Sequence, residues 1–407
     1  MVEKNSAHGL FVSMGMGLTL ALGGLTGGAA AQDLFIENAL LVKSPGETPE
    51  LTTILIRDGQ IADLGSEPPR NRIDYIDAEG RLVTAGLWNS HVHFTTPALA
   101  ETPQAVMTDM LLRYGFTSVV DTGSDLSQTL SLRERIENGE LVGPRILTAN
   151  GSFVAPGGSP AYLEFRLPEL ATPEAARAAI NAVLDAGADH IKIMSGSFLS
   201  PTNTAHMDEE VICAAAETTH ERERLIFSHP QSRMGLTRAV DCEVDVIVHT
   251  VPSDGPLGED LIVQMRAQDT VLIPTLKLWR FELGRAQVPE FVIKQYETTS
   301  IGQLKEYHEA GGKIAFGTDT GYMSDYDPEA EYELMAKAGL EFDDLLVTLT
   351  TMPAEKFGGQ SGTVEIGGPA DLVIYDGNPV ETPGDFAHVA FTIRQGAIVF
   401  DAESSAP

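Results

Sequence analysis

Two histidines, His91 and His93, stand two residues apart at the end of an apolar segment that opens with Leu82-Val83-Thr84. In a β-strand, alternate side chains point to the same face, so the two imidazoles would lie side by side. Imidazole nitrogen is a common ligand of zinc and of neighbouring divalent metals. An isolated pair of this kind more often belongs to a protein core. The hypothesis of a metal site therefore depends on whether further ligands stand elsewhere in the chain.

Further potential ligands stand at the ends of later predicted strands. His229 follows the apolar residues 225–228, His249 follows 244–248, and Asp319 comes shortly after 314–316. Taken singly, such a histidine is more often a loop residue and such an aspartate more often a helix cap. All of them reach one place only if the strands are arranged side by side and run in the same direction.

Lys192 lies within the predicted strand His190-Ile191-Lys192-Ile193-Met194. Alternation directs the two isoleucines to outer helices and the lysine into the interior. A buried lysine is costly unless it is neutral, paired with a carboxylate, or able to extend its amine to solvent. Capture of carbon dioxide as a carbamate would instead make it an anionic ligand with two oxygens, able to bridge two metal ions.

The elements that must position these residues alternate between strand and helix from 82 to 354. Eight strands are predicted, at 82–87, 117–120, 145–148, 190–194, 225–228, 244–248, 271–274 and 314–316. A helix over 173–186 begins at Thr172, a typical N-cap. Eight strands with intervening helices over this length predict an α/β fold, a (β/α)8 TIM barrel, whose active site lies at the carboxyl ends of the strands.

The two ends of the chain lack this alternation of strands and helices. Residues 32–81 and 355–407 have β character, with a hairpin turn at Asp58-Gly59, and predict one small β-sandwich built from both segments. Residues 1–31 resemble a signal peptide, with an apolar run followed by Ala29-Ala30-Ala31, and predict a secreted or periplasmic protein. No second apolar stretch of spanning length follows, so stable membrane insertion is not expected.

Composition narrows the class of partner. The chain has 58 acidic and 27 basic residues and a formal charge of −31, which disfavours nucleic acid and anionic lipid and leaves a small-molecule substrate. A homo-oligomer is left open. Cys213 and Cys242 have no metal-type spacing, and two buried thiols are expected, with a disulfide as the alternative in an exported protein.

Together these stretches resemble the amidohydrolase superfamily in its binuclear-metal form, and within it the imidazolonepropionase-like branch that includes prolidase-like dipeptidases. The matching segments are Gly86-Leu87-Trp88-Asn89-Ser90-His91-Val92-His93, Ile191-Lys192-Ile193-Met194, Ser228-His229, Val248-His249, Gly317-Thr318-Asp319 and 362–373. The chain departs from the family at Ala85, usually Pro, and at Asn89, usually Asp. Because asparagine lacks the negative charge of aspartate, we expect Asn89 to lower metal affinity, but it does not remove a metal ligand.

The resemblance implies a ligand set and a function. His91, His93 and Asp319 would hold one divalent ion, His229 and His249 a second, and Lys192, carboxylated by carbon dioxide, would bridge them; Zn²⁺ is the expected metal. The implied enzyme cleaves amide C–N bonds of small peptides or N-acyl amino acids by a metal-bridged hydroxide, with Asp319 moving the proton.

Two residues are candidates for contact with a substrate carboxylate: Tyr322, close after Asp319, and Arg233, just past His229. Two alternatives to this function remain. One is a hydrolase of cyclic amides, lactones or phosphotriesters that uses the same metals. The other is a catalytically silent barrel that serves as a scaffold.

Overall fold

The computed structural model describes residues 33–69, 73–359 and 362–404. The predicted signal peptide, residues 1–31, lies outside these ranges. Within them, no helix combines the length and the apolar character needed to cross a membrane.

The described residues form strands and helices that alternate through most of the chain. The strands are β1 (Leu34–Leu41), β2 (Glu50–Arg57), β3 (Gln60–Leu64), β4 (Asp74–Asp77), β5 (Leu82–Ala85), β6 (Leu87–Val92), β7 (Phe116–Asp121), β8 (Arg145–Thr148), β9 (Ile191–Met194), β10 (Gly196–Ser200), β11 (Asn203–His206), β12 (Ile226–His229), β13 (Val246–Val248), β14 (Val271–Ile273), β15 (Lys313–Ile314), β16 (Leu372–Tyr375), β17 (Val389–Arg394) and β18 (Ala397–Asp401). The α-helices are α1 (Ala98–Glu101), α2 (Pro103–Met110), α3 (Leu126–Glu137), α4 (Pro173–Asp185), α5 (Glu209–Glu221), α6 (Arg233–Asp241), α7 (Glu259–Ala267), α8 (Lys277–Arg285), α9 (Glu290–Glu309), α10 (Glu329–Lys337), α11 (Phe342–Leu349) and α12 (Thr351–Phe357). Short 3₁₀ turns lie at Leu112–Tyr114, Pro252–Asp254 and Pro383–Ala387.

Both ends of the chain contribute to one sheet of eight strands. Its order is β18-β17-β16-β5-β1-β2-β3, with β4 also paired to β1. The segments meet where β5 runs antiparallel to β16, with Ala85 opposite Leu372. The expected turn at Asp58-Gly59 connects β2 to β3, and both residues have positive φ, as a tight hairpin requires. The two segments therefore share a sheet, whereas the predicted β-sandwich, which needs a second sheet packed against this one, stays a prediction.

The central part of the chain forms two parallel sheets, β6-β7-β8 and β9-β12-β13-β14-β15. Backbone hydrogen bonds connect them at both edges. The N–H of His190 donates to Thr148 O at 3.1 Å on one side, and the N–H of Ser90 donates to Phe316 O at 2.8 Å on the other. The carboxyl ends of these strands consequently face the same side of the molecule.

The first predicted strand, 82–87, is two strands rather than one. Residues 82–85 pair with the terminal sheet as β5, and Leu87 opens β6 of the parallel sheet. Gly86 lies between them, where a Cβ would come within 2.3 Å of Thr117 Oγ1. An unbroken apolar run does not reveal this change of sheet, because both strands are buried on both faces.

The two cysteines form a disulfide, so the expectation of free thiols is wrong. Cys213 lies in α5 and Cys242 follows the last residue of α6. Their Cα atoms are 4.6 Å apart, within the range a disulfide requires. The predicted cap of α4 is confirmed, since the Thr172 side chain accepts a hydrogen bond from the N–H of Ala175 at 3.2 Å.

Candidate active site

Three of the predicted ligands converge on one carboxylate oxygen. Oδ1 of Asp319 lies 2.9 Å from Nε2 of His93 and 3.2 Å from Nε2 of His91. Despite these distances, Oδ1 accepts no hydrogen bond of acceptable geometry from the described residues. The ligand atoms of His91, His93 and Asp319 lie within 4.8 Å of one another, a spacing that could hold a metal ion. His91 and Asp319 are buried, and His93 is partly exposed.

The remaining histidines continue the row. The ring of His249 lies 4.9 Å from that of His91, and the ring of His229 lies 4.7 Å from that of His249. Nε2 of His249 is 4.0 Å from Oδ2 of Asp319. Four imidazoles in or directly after β6, β12 and β13, with the carboxylate from the segment after β15, therefore form one continuous cluster.

The backbone at this cluster adopts unusual conformations. His249 has a φ of 71° and Asp319 a φ of 60°, both in the left-handed region that costs a non-glycine residue about 1–3 kcal/mol. Gly321, with a φ of 90°, approaches so closely that a Cβ would lie 1.7 Å from His93 O. Such strained positions concentrate at functional sites.

Neighbouring hydroxyl and amide groups orient the imidazoles. Oγ1 of Thr122 is 3.1 Å from Nδ1 of His91, and Oγ1 of Thr275 is 2.5 Å from Nδ1 of His249. Asn89 donates through Nδ2 to Thr318 Oγ1 at 2.7 Å and accepts the N–H of His91 at 3.3 Å. Asn89 thus ties the end of β6 to the segment that carries Asp319, using hydrogen bonds alone.

Burial sets the protonation of the cluster. It lowers the pKa of His91 to about 3 and that of His229 to about 4, and it moves the pKa of His249 well below its usual value. Burial alone would raise the pKa of Asp319, but the imidazoles of His91 and His93 outweigh it and hold the pKa well below its usual range. At neutral pH His91, His229 and His249 are therefore neutral and Asp319 is a carboxylate, the forms that bind metal.

Lys192 is on the interior face of β9, as the alternation predicts. Its neighbours Ile191 and Ile193 pack in the core formed with the helices, while Lys192 pairs in register with Phe227 of β12. The side chain is buried, and burial lowers its pKa to about 7, against the attraction of Asp319 and Asp121. Its ammonium group has no hydrogen bond or ion pair to any described residue. The imidazole nitrogens and the Asp319 carboxylate together form a donor set that fits a borderline divalent cation such as Zn²⁺.

The structure brings one of the two predicted substrate contacts to the cluster. The ring of Tyr322 lies 6.5 Å from that of His93. Arg233 lies elsewhere: its guanidinium donates to the carbonyls of Pro256 and Leu257, the latter at 2.6 Å, and within the described ranges no contact joins it to the histidines.

The other histidines that the structure describes lie outside the cluster. His190 packs between the rings of Phe227 and Phe357. The remaining four have partners of their own: His206 with Ser232, His220 with Asp245, His308 with Asp344 and His388 with Asp385.

Comparison with known proteins identifies the family. The amidohydrolase family model matches residues 82–404. The chain belongs to the amidohydrolase family. No curated protein matches it in a sequence search. A candidate prolidase from Bifidobacterium longum is 27% identical, with a TM-score of 0.79, and the match covers 91% of this chain and 95% of that one.

Two further solved structures share the fold. A Xaa-Pro dipeptidase with bound methionine is 24% identical, with a TM-score of 0.78 over 91% of this chain and all of that one. The ochratoxinase of A. niger is 19% identical, with a TM-score of 0.73 over 91% and 96% of the two chains.

Membership confirms the resemblance seen in the sequence, and with it the prediction of an enzyme, a hydrolase acting on carbon–nitrogen bonds. Amidohydrolases generally use divalent metals, and His91, His93 and Asp319 form a group that could hold one.

Sequence reasoning missed several groups around the amidohydrolase cluster. Thr122 and Thr275 orient two histidines, and Arg285 and Glu282 contact Tyr322. The threonines follow predicted strands and could have been found by that position. Glu282 and Arg285 of α8 carry no such signal in the sequence. They reach the site only because α8 packs against the loop that contains Tyr322.

Proposed function

We propose that this amidohydrolase cleaves amide bonds of small peptides or N-acyl amino acids with two divalent metal ions, expected to be Zn²⁺. The observation that carries the proposal is the convergence of His91, His93 and Asp319, continued by the rings of His249 and His229. Oδ1 of Asp319 is buried and accepts no hydrogen bond of acceptable geometry from the described residues, so it is available as a ligand.

The first ion would be held by His91, His93 and Asp319, and the second by His229 and His249. Lys192 would bridge them as a carbamate. A pKa near 7 leaves much of its amine neutral at physiological pH, and only a neutral amine reacts with carbon dioxide. The Nζ lone pair bonds to the carbon, Nζ loses a proton, and the product is an anion with two ligand oxygens. When bound, the metals make hydroxide available near neutral pH and polarise the scissile carbonyl.

Asp319 is the residue proposed to move the proton. Its depressed pKa keeps it ionised, so Oδ2 can accept a proton from the attacking water while Oδ1 faces the histidines. It then returns the proton to the leaving nitrogen, without which the amine is a poor leaving group. Thr122 and Thr275 hold the imidazole planes during this transfer.

The proposal also includes the architecture around the site and the location of the protein. The hydrogen bonds at both edges of the parallel sheets support a single closed (β/α)8 barrel over residues 82–354, with the terminal segments as a flanking β domain. The disulfide between Cys213 and Cys242 supports a secreted or periplasmic location, because disulfides persist in oxidising compartments.

Elemental analysis tests the metal site. Protein produced with added bicarbonate is expected to contain about two transition-metal ions per chain, and Lys192→Ala should lose most of them. Lys313→Ala is the matched control, because Lys313 lies on β15 of the same sheet and pairs with Asp269, outside the cluster. One metal in both the wild type and Lys192→Ala would exclude the bridge, and none in either would favour the scaffold.

A substrate panel tests the reaction. Metal-loaded protein is expected to hydrolyse dipeptides and N-acyl amino acids faster than cyclic amides, lactones or phosphotriesters. The reverse order would replace this proposal with the alternative hydrolase on the same metals.

A further inference from the structure

Thr275, the residue that contacts His249, has a backbone conformation that β-branched residues rarely adopt. Its φ is 43°, in the left-handed region, where such a residue is a clear outlier. It follows the end of β14 and comes just before α8. In this conformation its Oγ1 lies 2.5 Å from Nδ1 of His249. Strained conformations persist only where the surrounding structure determines them, so other contacts must hold this turn in place.

A carboxylate from another part of the chain binds the two residues that follow Thr275. Oε1 of Glu331 accepts the N–H of Leu276 at 2.8 Å, and Oε2 accepts the N–H of Lys277 at 2.7 Å. Leu276 is the N-cap of α8, and its side chain makes no capping hydrogen bond. Glu331 therefore supplies acceptors that the first N–H groups of a helix otherwise lack, and its charge suits the positive end of the helix dipole.

Glu331 is fully buried, and its contacts show what it is buried for. Glutamate is almost never fully buried unless it is paired, because a buried charge without partners is costly. Among the described residues, its side-chain oxygens have hydrogen bonds only from the two N–H groups of the turn. Burial raises the pKa of the carboxyl to about 7, while these N–H groups and the charge of Lys277 act in the opposite direction. Its contacts thus assign it to this turn.

The same contacts connect two parts of the candidate site. Glu331 lies in α10, the helix that follows the segment of Asp319. Nζ of Lys277 is also 2.8 Å from Oδ2 of Asp325, which lies in that segment. The turn that supports His249 is therefore tied to the segment that carries Asp319.

We propose that Glu331 is a positioning residue for the metal site. By holding the N–H groups of Leu276 and Lys277, it keeps Thr275 in its strained conformation, and Thr275 in turn orients the imidazole of His249. Glu331 acts through Thr275 and is not itself a metal ligand. This inference rests on the proposed function, since it concerns a side chain that would hold the second ion.

A double-mutant cycle on metal affinity tests this role. Wild type, Glu331→Gln, Thr275→Val and the double variant are loaded with Zn²⁺ and titrated with a chelator. Glutamine has a similar size but leaves one oxygen for two N–H groups, so we expect Glu331→Gln to lower affinity about tenfold, as for other partners of metal-binding histidines. In the Thr275→Val background, the same change should alter affinity by less than about twofold, because its effect passes through Thr275.

Asp245→Asn is the matched control for lost stability. Oδ2 of Asp245 accepts the N–H of Ile226 at 2.9 Å, at the amino ends of β12 and β13 and so at the far end of these strands from the cluster. In urea unfolding of the metal-free protein, both carboxylate variants should be less stable than wild type, but only Glu331→Gln should lose metal affinity. If Glu331→Gln does not fold, Glu331→Asp, whose carboxylate is one methylene shorter, takes its place with the same expectation.

The outcomes separate this inference from the proposed function. Losses that multiply in the double variant, or an affinity of Glu331→Gln within about twofold of wild type, would overturn the role of Glu331 while the metal site stands. An equal loss of affinity in Asp245→Asn would also overturn it, because reduced stability alone would then explain the change. If the wild type binds no metal, the proposed function fails, and this inference fails with it.

Discussion

Two buried basic side chains lie two positions apart in the chain and have opposite surroundings. Lys192, on β9, is buried and interacts electrostatically with Asp319 and with His91 of the histidine row. His190, just before β9, packs against Phe227 and Phe357, and neither ring nitrogen has a hydrogen-bond partner among the described residues. Burial lowers the pKa of both, that of Lys192 to about 7 and that of His190 to about 4.

The difference teaches that burial alone does not identify a functional base. His190 is a buried base within an aromatic core, whereas Lys192 lies where several potential ligands meet. The function of a buried base therefore depends on its neighbours. Substitutions in the histidine row should affect metal binding and catalysis, whereas substitution of His190 should affect only stability.

The largest effect is expected at the histidine row. Asp319→Asn keeps the size of the side chain but removes the negative charge and the proton acceptor, so we expect kcat to fall by about 10³-fold or more. The measurement is steady-state hydrolysis with circular dichroism to check the fold. Activity within tenfold of wild type would contradict the role of Asp319.

A smaller effect is expected at Thr275, which contacts a predicted metal ligand but is not one itself. Thr275→Val removes the partner of His249 Nδ1, and loss of such a partner typically lowers metal affinity about 10- to 100-fold. Titration with a chelator measures it. Thr270→Val is the control, because Oγ1 of Thr270 is buried and has no hydrogen-bond partner among the described residues. Equal metal affinities in the two variants would show that Thr275 does not support the site.

His190→Phe should leave both metal content and activity unchanged, and should raise stability slightly. It removes two buried nitrogens without partners among the described residues, for a gain of up to about 1 kcal/mol at neutral pH. Because the folded-state pKa is depressed, the unfolded chain binds the proton first, and His190 costs stability as pH falls from about 6.5 toward 4, by at most about 1.4 kcal/mol per pH unit.

The gain from His190→Phe should accordingly be larger at pH 5 than at pH 8 in urea unfolding. A loss of metal in His190→Phe would show that His190 also supports the metal site, contrary to the difference drawn between it and Lys192.

The smallest effect is expected at His220, whose pKa moves the other way. Its hydrogen bond to Asp245 at 2.9 Å raises the pKa. Protonation then favours the folded state, so the contribution is fully present below about pH 6.5 and is lost as pH rises through the folded-state pKa. Since the pair is partly exposed, His220→Gln should cost less than about 1 kcal/mol at pH 5.5 and nothing at pH 8.5. An equal cost at both pH values would mean that packing, not charge, is lost.

The sequence by itself determined which residues stand at strand ends and which face Lys192 takes. These depend on periods of two residues in a strand and on local signals such as the Thr172 cap and the Asp58-Gly59 turn, all of which act between near neighbours in the chain. The same local positions singled out the six candidate residues, and the resemblance to the amidohydrolases supplied their roles as metal ligands.

Only the tertiary structure decided three other features. The change of sheet at Gly86 depends on Thr117, the disulfide depends on how α5 and α6 pack, and the choice of Arg285 rather than Arg233 beside Tyr322 depends on where α8 ends. Each is a contact between residues at least 29 positions apart in the chain. The local pattern cannot encode such contacts, because they are set by the packing of whole elements against one another.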